Sequence, residues 1–242
     1  MKLIKLDAID STNEFLKGLS STQLLENFTV VTAENQTKGK GQMGSIWLSE
    51  SGKNLILSVL IKDVLHYNTE LFCINQIVAV SIIEALQEFN IPGLSIKWPN
   101  DIMSYNKKIG GILIENILKN KGVIHSIVGL GLNVNQTDFG QLPKASSLAV
   151  VCKTTFDKNE ILIKIMDVLE SNCHLFTKNK NSFFSEYSEK LFKKGVPMPF
   201  LDSNKNHFMG IIQGVSPNGK LQILLANDSI SEFDIKEIQM LY

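Results

Sequence analysis

Leu94-Ser-Ile-Lys-Trp-Pro-Asn-Asp-Ile-Met-Ser-Tyr-Asn-Lys-Lys-Ile-Gly-Gly-Ile-Leu-Ile-Glu115 decides the fold. It reads as a strand from Leu94 to Trp98, a turn at Pro99-Asn100, a second strand from Ile102 to Tyr105, a turn at Asn106-Lys107 and a third strand from Ile109 to Leu118. A turn at Lys119-Asn-Lys-Gly122 then leads into a fourth strand, Val123 to Leu132. Connections this short leave no room for a crossover helix, so the neighbouring strands must be antiparallel.

Outward from this meander the chain alternates helices and strands. Met1 to Ile9 reads as a strand, and Ser11-Thr-Asn-Glu14 as a capping box opening a short helix toward Leu19. Phe28 to Ala33 and Asn54 to Ile61 read as strands. Leu71, Ile74, Val78, Ile82 and Leu86 recur with helical period, which predicts a helix from about Thr69 to Phe89. Two more helices are expected, one capped by Asp157 with Glu160 and one across Phe183 to Leu191. Past Gly195 short runs alternate with the turn signals Asp202-Ser-Asn204, Pro217-Asn-Gly219 and Asn227-Asp228. The expected fold is α+β, a mostly antiparallel sheet with helices packed on it over residues 1–194, followed by a small SH3-like β-barrel over residues 195–242.

Composition bounds the function. The 242 residues carry 24 basic and 24 acidic side chains, so no global field draws the chain to phosphate polymers or anionic lipid. No helix-turn-helix or zinc-finger segment is apparent, and nucleic acid is not an expected partner. The N-terminal MKLIKLDAIDSTNEF lacks the apolar core of a signal peptide, and no apolar run approaches the roughly 18 residues of a membrane span. The three cysteines are far apart, which fits reduced thiols in a cytoplasmic protein.

Four segments carry chemistry. Gly39, Gly41 and Gly44 form a G-x-G-x-x-G, but no helix opens behind them as the dinucleotide reading requires, and no Gly-Lys-Ser/Thr completes a phosphate loop. What survives is a flexible loop able to bring backbone N–H groups, Lys38 and Lys40 to an anion; alone it is equally a solvated loop. Lys97, Asn100, Asp101 and Lys108 are expected to converge where the Asn106-Lys107 turn folds the chain back; alone they read equally as turn and strand-end residues. Gly110-Gly111 and Gly129-Leu-Gly131 lie in neighbouring apolar strands, which suggests a slot where a ligand approaches the backbone; the alternative is a bulge or tight helix packing.

In order, Asp10-Ser-Thr-Asn13, Glu34-Asn-Gln-Thr-x-Gly-x-Gly41, Gly44-x-x-Trp47, Ser51-Gly-x-Asn-Leu55, Lys97-Trp-Pro-Asn-Asp101, Lys107-Lys-x-Gly-Gly-Ile-Leu-x-Glu115 and Gly129-x-Gly-x-Asn-Val-Asn135 resemble the catalytic domain of bacterial biotin–protein ligases. The resemblance covers roughly residues 1–150. It implies an ATP-dependent enzyme that forms biotinyl-5′-AMP and passes biotin to a lysine of a biotin carboxyl carrier domain. It assigns biotin binding to Ser11, Thr12, Asn13, Gln36, Lys40, Gly41, Gln42, Lys108 and Gly111. It assigns ATP or adenylate contacts to Lys40, Gln42, Lys97, Asn100, Gly129 and Asn133, with Asn133 on the adenine edge. Lys108 and Asp101 are the expected catalytic groups, Asp101 as a base or as an orienting group. No motif holds a metal directly, and Mg²⁺ is expected to travel with ATP. Trp47 is expected either to anchor the loop under the ligand or to sit as an ordinary core tryptophan.

The resemblance also implies a homodimer among the partners. It implies that the DNA-binding domain preceding many such ligases is absent, since the motifs begin about ten residues from Met1. The family's loop commonly reads Gly-Arg-Gly-Arg-x-Gly-Arg, and here Lys40, Gln42 and Ser45 stand at the arginine positions. Lysine cannot offer the guanidinium's bidentate fork. The alternatives are a lipoate–protein ligase-like adenylating enzyme, which shares fold and logic, and a non-catalytic biotin-binding module.

Overall fold

A computed structural model describes residues 2–65, 71–118, 124–176 and 178–242. The start of the expected helix at Thr69, the turn at 119–122 and the first residue of the fourth meander strand lie outside them.

The strands are β1 (Lys2–Ile9), β2 (Thr29–Gln36), β3 (Leu55–Ile61), β4 (Leu94–Lys97), β5 (Asp101–Ser104), β6 (Lys107–Leu118) and β7 (Ile124–Leu132), with helices α1 (Thr12–Thr22) and α2 (Leu71–Glu88) between them. They form a seven-stranded sheet in the order β1-β2-β3-β7-β6-β5-β4. Only β1 and β2 run parallel, joined through α1; every other pairing is antiparallel. After the sheet come α3 (Leu148–Cys152), α4 (Lys158–Phe176) and α5 (Lys180–Glu189). The short helix α3, capped by the Ser147 hydroxyl accepting from the Val150 N–H, had no expectation in the sequence. Of the two capping boxes, Asp157 accepts from the N–H of Asn159 and Glu160. At Ser11 half of the box forms: its hydroxyl accepts weakly from the Glu14 N–H, while the Glu14 carboxylate turns away to Lys40.

The two faces of the sheet have different duties. Leu55, Leu57, Val59, Val128, Leu130 and Leu132 point to one face and form the main core with α2 and α4. On the other face Leu60, Val31 and Ile127 pack beneath Leu16 of α1 in a smaller cluster. β3 is therefore buried on both sides along its whole length, which is why it reads as an unbroken apolar run. α2 has the length and mean hydropathy, 1.4, to cross a bilayer, correcting the expectation that no run approaches that length; 67% of it is buried in this protein's own core.

The C-terminal strands β8 (Pro197–Asp202), β9 (His207–Val215), β10 (Leu221–Leu225), β11 (Ile230–Phe233) and β12 (Ile238–Met240) form a five-stranded antiparallel sheet, compatible with an SH3-like module. Its core residues Phe200, Ile212, Leu221 and Ile223 join the same apolar cluster as the first sheet. The Trp98 indole N–H donates to the Gly219 carbonyl at 2.9 Å, tying the module to the loop after β4.

Candidate active site

A cavity of about 310 Å³ opens on the α1 side of the first sheet, at the ends of β3, β6 and β7. Its size lies at the lower end of small-molecule sites, roughly 300–1,000 Å³. Four pieces of chain enclose it: the start of α1, the glycine loop, the β4–β5 turn and the β11–β12 turn.

The floor is made of glycines whose missing side chains are already in use. A Cβ on Gly129 would stand 2.5 Å from Asn13 Oδ1, and one on Gly131 would stand 2.3 Å from the Trp47 ring. The slot anticipated from the sequence is therefore lined by Asn13 and Trp47, with the indole lying between Gly111 and Gly131. Trp47 Nε1 is buried and makes no hydrogen bond.

One end of the cavity is a polar network. The Gln36 carbonyl oxygen accepts from the Thr12 N–H at 2.7 Å and lies 3.0 Å from the Thr12 hydroxyl. The Ser58 hydroxyl sits 2.7 Å from the Thr12 hydroxyl and 2.5 Å from Asn13 Oδ1. Asn13 Nδ2 donates to Glu115 at 3.0 Å, and Glu115 pairs with Lys17 at 3.2 Å.

The other end is cationic. Lys108 Nζ lies 2.6 Å from Asp101, and Lys97 Nζ lies 3.5 Å from the other oxygen of the same carboxylate. Lys108 stands at the far end of β5 from Asp101, opposite Met103, so the turn alone does not bring them together. A β-bulge does. The register of β5 against β6 slips between Ile102 and Met103, which places the extra residue Ile109 into the core beside Ile112. A one-residue slip exchanges the faces of the sheet. Lys108 thereby joins Gly111 and Leu113 on the cavity face, and its stem runs back past Gly111, 3.4 Å from where a Cβ would sit.

The glycine loop is a tight hairpin. Gly39 accepts from the Trp47 N–H, and a Cβ at Gly39 would stand 2.3 Å from the Trp47 carbonyl oxygen, so only glycine fits. Asp10 holds the loop's base through Thr37 and Lys38, and both bonds keep its carboxyl below the usual range, Lys38 contributing most. Lys38 therefore faces Asp10 and does not line the cavity. Lys40 lines it, paired with Glu14 at 2.6 Å; the bond lowers the Glu14 carboxyl and raises the Lys40 ammonium.

Of the expected site residues, Ser11, Thr12, Asn13, Gln36, Lys40, Gly41, Gln42, Lys97, Asn100, Asp101, Lys108, Gly111 and Gly129 all line this cavity. Asn100 points its amide at the Ile112 carbonyl, 2.6 Å away, bracing the turn against β6. Asn133 is the exception. It is 5% exposed, its side-chain amide donates to the Ser146 carbonyl at 2.9 Å, and it does not line the cavity. Through that bond Asn133 braces the segment leading into α3.

Sequence reasoning missed Ile235 and Lys236, which the C-terminal module adds to the cavity wall. Lys236 Nζ donates to the Met43 carbonyl on the glycine loop at 3.2 Å. Its turn contains no glycine or proline and Asp234 is its one turn-favouring residue, a weak signal, while Lys236 itself takes φ +72°. Ser58 was hidden inside an apolar run. Among the described residues no cluster of His, Cys, Asp or Glu is placed to hold a metal ion.

The cavity has a glycine floor, a cationic end and a hydrogen-bonding end, which together suit a small polar molecule carrying an anionic group. The chain matches the biotin/lipoate A/B protein ligase family over residues 6–133 and belongs to it. It is 31% identical over 169 residues to the bifunctional ligase/repressor BirA of Bacillus subtilis, covering 68% of this chain and 51% of that protein. The chain thus spans about half the length of that relative. It is 23% identical over 214 residues to the biotin–[acetyl-CoA-carboxylase] ligase of Mycobacterium tuberculosis, covering 87% of this chain and 79% of that one. The structure of the biotin protein ligase from Aquifex aeolicus in complex with biotin and ATP superposes with a TM-score of 0.80 at 29% identity, covering 99% of this chain and 98% of that one.

Proposed function

We propose that this chain activates biotin with ATP and transfers it to a lysine of a biotin carboxyl carrier domain. The observation that carries the reading is the pairing, in one cavity, of the Lys108 ammonium with a hydrogen-bonding pocket suited to a cyclic urea. Gln36 turns its carbonyl inward onto Thr12 and so offers its amide nitrogen, and Ser11 keeps a hydroxyl proton; both suit a urea carbonyl. A disulfide ring such as lipoate's offers those groups no matching acceptor, which favours biotin over the lipoate reading.

In the first step the biotin carboxylate oxygen attacks the α-phosphorus, a P–O bond forms and pyrophosphate leaves. Two anions must meet, so the cost is electrostatic. Lys108 stands nearest, with Lys40 reachable once it leaves Glu14 and Lys97 beyond Asp101. Mg²⁺ arrives on the nucleotide's phosphates. In the second step a neutral lysine amine attacks the acyl carbon, the amide forms, AMP leaves and one proton is released.

Asp101 has both oxygens engaged by ammonium groups, which supports an orienting role toward Lys108. An Asp101→Asn variant given preformed biotinyl-adenylate should still biotinylate carrier at near wild-type rate; a loss of a hundredfold or more assigns it as the base. The reading is tested by incubating the chain with biotin, ATP and a recombinant carrier domain. A carrier mass increase of one biotinyl group supports it; no increase, or an increase with lipoate alone, refutes it. Cys152 and the buried Cys173 form no disulfide, which fits a cytoplasmic setting for this activity.

A further inference from the structure

We propose that Glu115 is a positioning residue that fixes the direction of the hydrogen-bond chain behind the site, so that Thr12 can only accept and the site selects ring N–H donors. The proposal rests on the biotin reading above and goes one layer behind it.

The chain is short and its protons can be counted. Glu115, held by Lys17, is a carboxylate and accepts only. It therefore orients the Asn13 amide, whose Nδ2 donates to it at 3.0 Å and also faces the Leu113 carbonyl. That leaves Asn13 Oδ1 turned toward Ser58, 2.5 Å away. An amide oxygen carries no proton, so the single Ser58 hydroxyl proton must lie in that contact. The Ser58 oxygen is then left to accept, and the group 2.7 Å from it is the Thr12 hydroxyl. Thr12's one proton is thus held inside the network, with the Gln36 oxygen at 3.0 Å as its other internal acceptor. What Thr12 shows the cavity is a lone pair.

The links between Glu115, itself partly exposed, and the cavity are buried well enough for this to matter. Ser58 is fully buried, and Thr12 and Asn13 are each 3% exposed, so water does not scramble the chain. Gly129 exists to seat Asn13, since a Cβ there would stand 2.5 Å from its amide oxygen. A buried acceptor facing the ligand rejects a group that brings no proton, because the acceptor is then left unpaired; discrimination by such sites reaches about 10⁴-fold.

The test uses Glu115→Gln, because a carboxamide can donate as well as accept. Asn13 then keeps only the long 3.5 Å contact to the Leu113 carbonyl to fix its amide, and when it inverts Ser58 donates to Thr12, whose proton is shared between the Gln36 oxygen and the cavity. The ligands are biotin and its cyclic carbonate analogue, in which both ring N–H groups are oxygens. Calorimetric titration of wild type should show a preference for biotin of about a hundredfold or more. Glu115→Gln should reduce that preference at least tenfold, raise the KM for biotin and leave kcat at saturating biotin unchanged. Ser58→Ala, which removes one of Thr12's two internal acceptors and leaves the Gln36 oxygen, should reduce the preference in the same direction and serves if Glu115→Gln fails to fold. Parallel weakening of both ligands with an unchanged preference, or no change in either variant, overturns the proposal. Absence of biotin binding by wild type overturns it together with the biotin reading, so the two failures are distinguishable.

Discussion

Lys108 is where position and chemistry meet. Its identity as a candidate was legible in the sequence, since a lysine beside two glycines at the start of an apolar strand is unusual. The route by which it reaches the cavity was only half legible: glycines inside an apolar strand also read as a bulge, but only the register shows that Ile109 moves into the core and Lys108 out of it. Lys108→Ala should leave the melting temperature nearly unchanged and slow adenylate formation about a hundredfold or more, measured by single-turnover pyrophosphate release. Gly131 was legible as a close-approach residue, though what approaches it is Trp47. Gly131→Ala should push the indole from its seat, shift the tryptophan fluorescence and weaken biotin binding at least tenfold by titration. At Asn133 the sequence shows only part of the arrangement: a polar residue ending a strand beside glycines looks ligand-facing, and the fold adds that one N–H of its amide is engaged by the Ser146 carbonyl.

At the scale of elements, the meander, the long helix and the turn-rich C-terminal strands were readable because short connections and helical period constrain pairing directly. α3 was not, since five residues carry too little periodicity to register. The loop from Thr37 to Ser45 is anchored at its base by Asp10 and held over the cavity by the Lys40–Glu14 pair, both exposed contacts that a ligand can displace. Biotinyl-adenylate should recruit Lys40 from Glu14 and protect the loop, so limited proteolysis at Lys38 and Lys40 should slow at least fivefold with the adenylate bound. α4 carries a prediction in pH. Burial, helped by Glu170, pushes the Cys173 thiol up to about 12 from 9.0. The folded thiol keeps its proton above the pH at which the unfolded one loses it. Its contribution to stability is therefore intact below pH 9 and falls as the pH rises from 9 toward 12. Chemical denaturation across that window should show a decline that Cys173→Ser reduces. Native protein at pH 8 should leave Cys173 unalkylated by iodoacetamide.

The whole molecule closes its site with parts far apart in sequence. The C-terminal module shares a core with the first sheet and reaches over the cavity through Ile235 and Lys236. Lys236 bonds to the glycine loop from a left-handed backbone conformation, which brings its ammonium over the cavity wall. Lys236→Ala should raise the KM for ATP severalfold and leave that for biotin nearly unchanged, measured by steady-state kinetics. The central proposal concerns charge: that the Lys108 ammonium in the cavity wall is what lets two anions react there. The most direct measurement is biotin-dependent exchange of radiolabelled pyrophosphate into ATP by wild type and Lys108→Ala. Wild type should exchange with biotin and not with lipoate, and the variant should fall about a hundredfold or more. Exchange by the variant at the wild-type rate, or exchange driven by lipoate and not biotin, would contradict the account.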